Sequence, residues 1–283
     1  MVQTKWKKYY DLPEIVEIRK KIVDSYSNKL QFIEETHQYF LDGVEYDCVS
    51  NVTHKYNPFD QDKVAEETYL RALANPSNKY HGMSKEEIIK QWEEHSADAC
   101  EKGTNVHAFG ESMFYILTGT GGPVEGCEDA FDKDGNPLPR NKKEEAVVKF
   151  WNDLPECIIP VLAETKVFNQ DGTPYAGTFD ILFYYYCVDD DTKSGLILFD
   201  YKTNADLYKN FNGQTMLPPF DDYLDQPIGY YRLQFACYQI PIENLGYKVL
   251  GRRLIWLKED GEYDKVSIPD LSLRMRRELK IID

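Results

Sequence analysis

Residues Leu196-Ile197-Leu198-Phe199-Asp200-Tyr201-Lys202-Thr203 form a short apolar run that ends in an acid and a lysine two residues apart. A continuous apolar run of this length reads as a buried central strand. Side chains alternate along a strand, so Asp200 and Lys202 share one face at the edge of a core. Taken alone, such a pair is an ordinary strand-end ion pair. A chain of 283 residues suits one large domain or two small ones around a sizeable core.

The strand has neighbours in the sequence. Val161–Phe168 reads as a strand, Gln170-Asp171-Gly172 as a turn and Thr178–Tyr186 as a second strand. Asp189-Asp190-Asp191 with Ser194-Gly195 marks the next turn, so three strands form an antiparallel meander. Asp180 interrupts the otherwise apolar second strand. A carboxylate there is costly unless it is paired or holds a metal. The meander can bring Asp180 beside Asp200, giving two acids and an ammonium in one place, as a divalent-metal site requires.

The rest of the chain supplies helices. Ile15, Ile18 and Ile22 give residues 1–28 a helical lead-in, and residues 30–48 read as a hairpin about Asp42-Gly43. Shorter helices broken by Asn57-Pro58 and Asn75-Pro76-Ser77 cover residues 50–82. Ser84 and Glu87 form a capping box that opens a helix beyond Ala97. Gly103 is read as punctuation before a second helix, about Thr104–Leu117, in which His107 and Glu111 share a face. Residues 121–142 read as a surface loop, and a helix follows near Glu144–Leu154. A long irregular stretch, 204–227, precedes a helix near Gly229–Gln239 carrying Gln234 and Tyr238. Two strands, Tyr247–Leu257 and Tyr263–Ile268, and a short basic helix complete the chain.

Four pieces in order, His107, Gly177 to Asp180, Asp200 to Lys202 and Gln234 to Tyr238, resemble the PD-(D/E)XK nuclease superfamily, in its RecB-like branch. That branch places a helix His, a Gly-x-x-Asp strand, an Asp-x-Lys strand and a Gln-x-x-x-Tyr helix in this order. The front of the chain, His37–Gly43 and Val49–Thr53, is similar to phage-encoded members and to the mitochondrial genome maintenance exonucleases. The resemblance covers about residues 30–270. It implies an α/β fold: a restriction-endonuclease-like mixed sheet core flanked by helices, with an N-terminal helical and hairpin extension. The extension is drawn as residues 1–100, packed on a nuclease core of residues 101–283 as one compact unit.

The resemblance also implies a hydrolase that cleaves DNA phosphodiester bonds with Mg²⁺ or Mn²⁺, an exonuclease of phage-type recombination, replication or repair. His107, Asp180, Asp200 and the Tyr201 backbone carbonyl would hold the metal, and Lys202 would act at the transition state. Gln234 and Tyr238 would position the site or the strand, with Glu111 and Glu164 auxiliary. Glu164-Thr165-Lys166 is a competing acid-x-Lys, ranked lower for a shorter strand and for lacking an acid-bearing strand before it. The expected partners are single-stranded DNA or duplex ends and a single-strand annealing or binding protein. The alternatives are a structure-selective or RNA-directed endonuclease, and a non-catalytic binding module on a degenerate nuclease fold. The second is disfavoured by the intact Asp, Asp, Lys and His set.

Composition sets limits. Lys plus Arg is 33 and Asp plus Glu is 48, a net charge of 33 − 48 = −15. This argues against coating DNA through many phosphate contacts, but not against holding it in one local groove. No apolar run approaches the ~20 residues of a membrane span, and the first residues lack an apolar signal core. A cytoplasmic protein is expected, in the host cytoplasm if phage-encoded, with no membrane partner. The six cysteines are scattered, so reduced and mostly buried thiols are expected and an iron–sulfur cluster is not.

Overall fold

A computed structural model describes residues 5–34, 36–210 and 213–282. The first four residues of the expected lead-in, and residues 211–212 of the irregular stretch, lie outside these. The chain forms a mixed eight-stranded, mostly open sheet flanked by helices.

The lead-in is a short helix α1 (Lys7–Tyr10) and α2 (Pro13–Ile22), which continues into a π-helical turn. Pro13 opens α2 where its missing N–H costs nothing, and Ile15, Ile18 and Ile22 are its buried stripe. The expected hairpin is three strands, β1 (Leu30–Ile33), β2 (Gln38–Leu41) and β3 (Val44–Cys48). Asp42 and Gly43 join the last two with φ of +51° and +78°, the left-handed pair that a two-residue hairpin loop needs.

Helices α3 (Val49–His54) and α4 (Gln61–Ala74) lead to α5 (Lys85–Thr118), capped by Ser84 and Glu87 and ended at Gly119 with φ of +73°. The two helices expected about Gly103 are therefore one of 34 residues. Glycine inside a helix costs only about 1 kcal/mol, and the helix runs on through the exposed residues 93–102 and Gly103 to the buried Val106. The division at residue 100 falls inside α5, and strands from both sides of it share one sheet. Residues 121–142 are less of a free loop than expected: Cys127, Ala130 and Phe131 are buried, and Phe131 stacks on Phe109 with centroids 5.1 Å apart.

After α6 (Lys142–Asp153) comes the meander: β4 (Ile158–Asn169), β5 (Tyr175–Tyr185) and β6 (Gly195–Lys202). Helix α7 (Pro227–Asn244) carries the crossover to β7 (Val249–Leu257), parallel to β6, and β8 (Tyr263–Ser267) and α8 (Ser272–Glu278) follow. The strand order is β1-β2-β3-β5-β6-β7-β8, with β4 also paired to β5. β4 runs along one whole edge of β5, so β3 and β6 share the other. β3 pairs at Tyr175–Ala176 and β6 at Ile181–Tyr185. Residues 177–180 lie between them, where the sheet splits.

All six cysteines are free, but only Cys127 and Cys237 are buried and Cys100 is exposed. Among the described residues no helix is long and apolar enough to cross a membrane.

Candidate metal centre

Past the Ile181–Phe199 pair the β5–β6 ladder opens. There Tyr201 N–H donates to Asp180 Oδ2 at 2.7 Å, so a side chain takes the place of a ladder acceptor. The carboxylate is 8% exposed and sits in the split of the sheet. Gly177, three residues earlier, is at the same split. A Cβ there would lie 2.7 Å from Val49 Cγ2 and 3.0 Å from Tyr238 Cε1. The glycine of Gly-x-x-Asp is thus required by the close approach of α3 and α7.

Helix α5 approaches β6 in the same way. A Cβ at Gly110 would fall 2.5 Å from the Tyr201 ring, which no relaxed contact permits. That approach brings His107 Nδ1 to 3.2 Å from Asp180 Oδ2 and 3.7 Å from Glu164 Oε1. Among the described residues, His107, Glu164 and Asp180 each offer a ligand atom, all within 4.8 Å of one another.

Glu164 reaches this point through an unusual backbone. Its φ is +41° in the middle of β4. The flanking pairs Ala163–Ile181 and Thr165–Phe179 set it across from Asp180. The sequence ranked Glu164 below Asp200 because of a shorter strand, but β4 has 12 residues and β6 has 8. Lys166 does not complete a second acid–lysine pair, because its Nζ donates to Leu30 O at 3.1 Å.

Asp200 stands outside the triad of ligand atoms and forms a close ion pair with Lys202. Lys202 Nζ meets its Oδ2, while Oδ1 is buried with no partner among the described residues. Lys202 Nζ also lies 4.6 Å from the centroid of the Tyr231 ring. Tyr201, the residue between, turns the other way, toward Phe150 at 5.8 Å, as strand alternation requires.

The electrostatics follow from three carboxylates in little space. Burial, together with the neighbouring Asp180, pushes both Glu164 and Asp200 up to about 7, although His107 acts against this at both and Lys202 at Asp200. Burial would also raise Asp180, but His107, Lys202 and the Tyr201 N–H outweigh it and hold the carboxyl below its usual range. Burial opposes charge on His107, yet Asp180 and Glu164 raise the imidazole well above its ordinary value. Burial likewise opposes Lys202, and Asp200 and Asp180 keep it charged. One imidazole nitrogen among hard carboxylate oxygens suits Mn²⁺ or Mg²⁺. Asp200 Oδ1, buried with no donor, fits a cation beside it.

The remaining expected residues border this centre. Gln234 Nε2 donates to the Tyr238 hydroxyl at 3.0 Å. The Tyr238 phenol is raised by burial and by Asp200 and Asp180, which places it within their field. Glu111 accepts from Tyr115 OH at 3.0 Å, and burial raises its carboxyl. The Tyr201 N–H is the part of that peptide with a bond to the site. Sequence reading missed Tyr231, whose signal was its position three residues before Gln234 on one helix face. No protein-family model matches this chain, and neither does any curated protein.

Proposed function

We propose that the chain is a divalent-metal-dependent nuclease, and that it is an exonuclease acting on DNA. The observation that carries this reading is the convergence of His107, Glu164 and Asp180 on one point, with the Asp200–Lys202 pair beside it. What supports the reading is that two acids and a lysine, the set expected of a restriction-endonuclease-like core, gather at a split in a mixed sheet.

His107, Asp180 and Glu164 would hold Mg²⁺ or Mn²⁺, with Asp200 and the Tyr201 carbonyl as further oxygen donors. A bound divalent cation would supply an activated water and polarise a phosphodiester oxygen. Lys202, held charged by Asp200 and Asp180, would orient the attacking water and stabilise the negative charge that builds on the phosphate. Gln234 and Tyr238 fix one another and shape the wall next to the carboxylates. Glu111 lends its charge to the environment of Glu164.

The test is incubation with end-labelled linear DNA in Mg²⁺, Mn²⁺ or EDTA. Cleavage is expected with either metal, none with EDTA, and none by Asp180→Asn. Metal-independent cleavage, or none under any condition, removes this reading.

A further inference from the structure

A concavity away from the metal ligands is lined in part by Tyr231. It has a volume of about 370 Å³, within the ~300–1,000 Å³ of small-molecule sites. Four rings line it: His54 at the end of α3, Phe59, and Tyr230 and Tyr231 at the start of α7. Its polar members are Asn57, Lys209, Gln226 and Asp225, whose carboxylate is taken up by the Tyr230 hydroxyl. None of these residues belongs to the metal centre, yet Tyr231 touches both places. Its ring lines the cavity, and Lys202 Nζ is 4.6 Å from its centroid.

The rings are held rather than loose. Tyr231 OH donates to Asn204 Oδ1 at 2.7 Å. Tyr230 bonds to Asp225 and meets the His54 ring edge-on at 5.6 Å. Asn57 Oδ1 accepts the Phe59 N–H at 2.8 Å and sets the turn that carries its ring. Phe59 itself is 51% exposed, a costly placement for a phenyl ring with nothing to cover it.

We propose that this cavity takes the base of an unpaired nucleotide next to the scissile phosphate, so that the substrate is a single strand. The inference rests on the nuclease reading of the metal centre. A nucleobase has a flat face for the rings and a polar edge for Gln226 and Asn57, and its phosphate carries the charge that Lys209 meets. Stacking on aromatic side chains accepts any base, because every base has a π-face. A base within a duplex has both faces covered by its neighbours and cannot enter. Tyr231 is shared by the cavity wall and the Lys202 contact, so the seated base and the phosphate under attack would be neighbours.

The test measures binding to a single-stranded oligodeoxynucleotide carrying 2-aminopurine, in EDTA, where the metal reading plays no part. The variants are Phe59→Ala and Tyr230→Leu, with circular dichroism as the check on folding. Binding by the intact protein should quench 2-aminopurine at one position of the strand, and a blunt duplex should bind at least ~10-fold more weakly. Each folded variant should weaken single-strand binding by at least ~5-fold, the lower end of what one stacked base supplies. Wild-type affinity in both variants, or a duplex bound as well as the single strand, overturns the proposal. Weakened binding in variants of a protein that never cleaves DNA would instead retain the base site and remove the nuclease reading.

Discussion

Glu164 holds a backbone conformation that a β-strand residue with a side chain avoids, φ of +41°, at a typical cost of about 1–3 kcal/mol. Its carboxyl is then placed beside another acid, so the unliganded site is destabilised twice. Glu164→Gly should relieve both and raise the denaturation midpoint of the metal-free protein, since the strand penalty for glycine is only about 0.5–1 kcal/mol. The same variant should lose Mn²⁺ affinity by at least ~10-fold in calorimetry. A lower midpoint would mean that the carboxylate stabilises the fold without metal. Lys202 has a different duty. Lys202→Met should cut cleavage by about 10²-fold or more without weakening Mn²⁺ binding, because an ammonium repels a cation; weaker binding would make it a structural partner of the ligands. The pH dependence follows from the same charges. Glu164 and Asp200 are raised to about 7 and His107 is raised well above its ordinary value. All three bind protons more tightly folded than unfolded, so their contribution is greatest in mild acid and falls as pH rises through their folded values. The melting temperature in EDTA should therefore fall between pH 5 and 8, and the increase produced by Mn²⁺ should grow over the same interval. A metal-free melting temperature that rises across that range would contradict these shifts.

At the scale of elements, the centre depends on two glycines where helices press on strands. Gly110→Ala places a methyl group 2.5 Å from a Tyr201 ring atom. That ring is fully enclosed, so α5 must move away, at a typical overpacking cost of about 1–3 kcal/mol. His107 would move with it. Urea denaturation should show the loss of stability, and Mn²⁺ titration should show weaker binding; unchanged metal affinity would mean that His107 is positioned independently of this contact. The same elements show what the sequence could and could not reveal. Alternation and turn chemistry located the meander of β4, β5 and β6, because those signals are local. The order of His107, Asp180, Asp200 and Lys202 was readable for the same reason. Gly103 was read as a break because its propensity is local, whereas the buried stretch from Val106 that anchors the rest of α5 owes its place to the fold. Glu164 was read only as an auxiliary carboxylate, because a positive φ at a glutamate leaves no trace in composition or periodicity. Its acid-x-Lys pattern with Lys166 pointed to the wrong partner, since that lysine is bound to Leu30 O. Tyr231 was one of 21 tyrosines, and only the fold separates it from those in the core.

For the whole molecule, a net charge of −15 means that most of the surface repels a polyanion. On the nuclease reading, a nucleic acid would be attracted where cations and metal ligands are gathered, beside Lys202 and Lys209. Helix α5 links that place to a separate small cluster of Ala72, Tyr80 and Ile88 between α4 and α5. One helix thus carries both Ile88 of this cluster and His107 of the centre. A strand cannot lie broadly along such a surface and must be led into one confined place in a fixed orientation. On the nuclease reading, this favours a substrate that enters by its end. A linear single strand in Mg²⁺ should be degraded, while its covalently closed circle, at the same concentration, should survive at least ~10-fold longer. Equal degradation would show that the cleft admits a strand from the side and that the acidic surface does not restrict entry. Adding salt separates electrostatic guidance from geometry. Because few phosphates can be met by lysines here, single-strand affinity should fall only shallowly with salt, with a log–log slope of about −0.7 per phosphate neutralised. A slope matching many contacts would place the strand along an extended basic face instead of in one confined place.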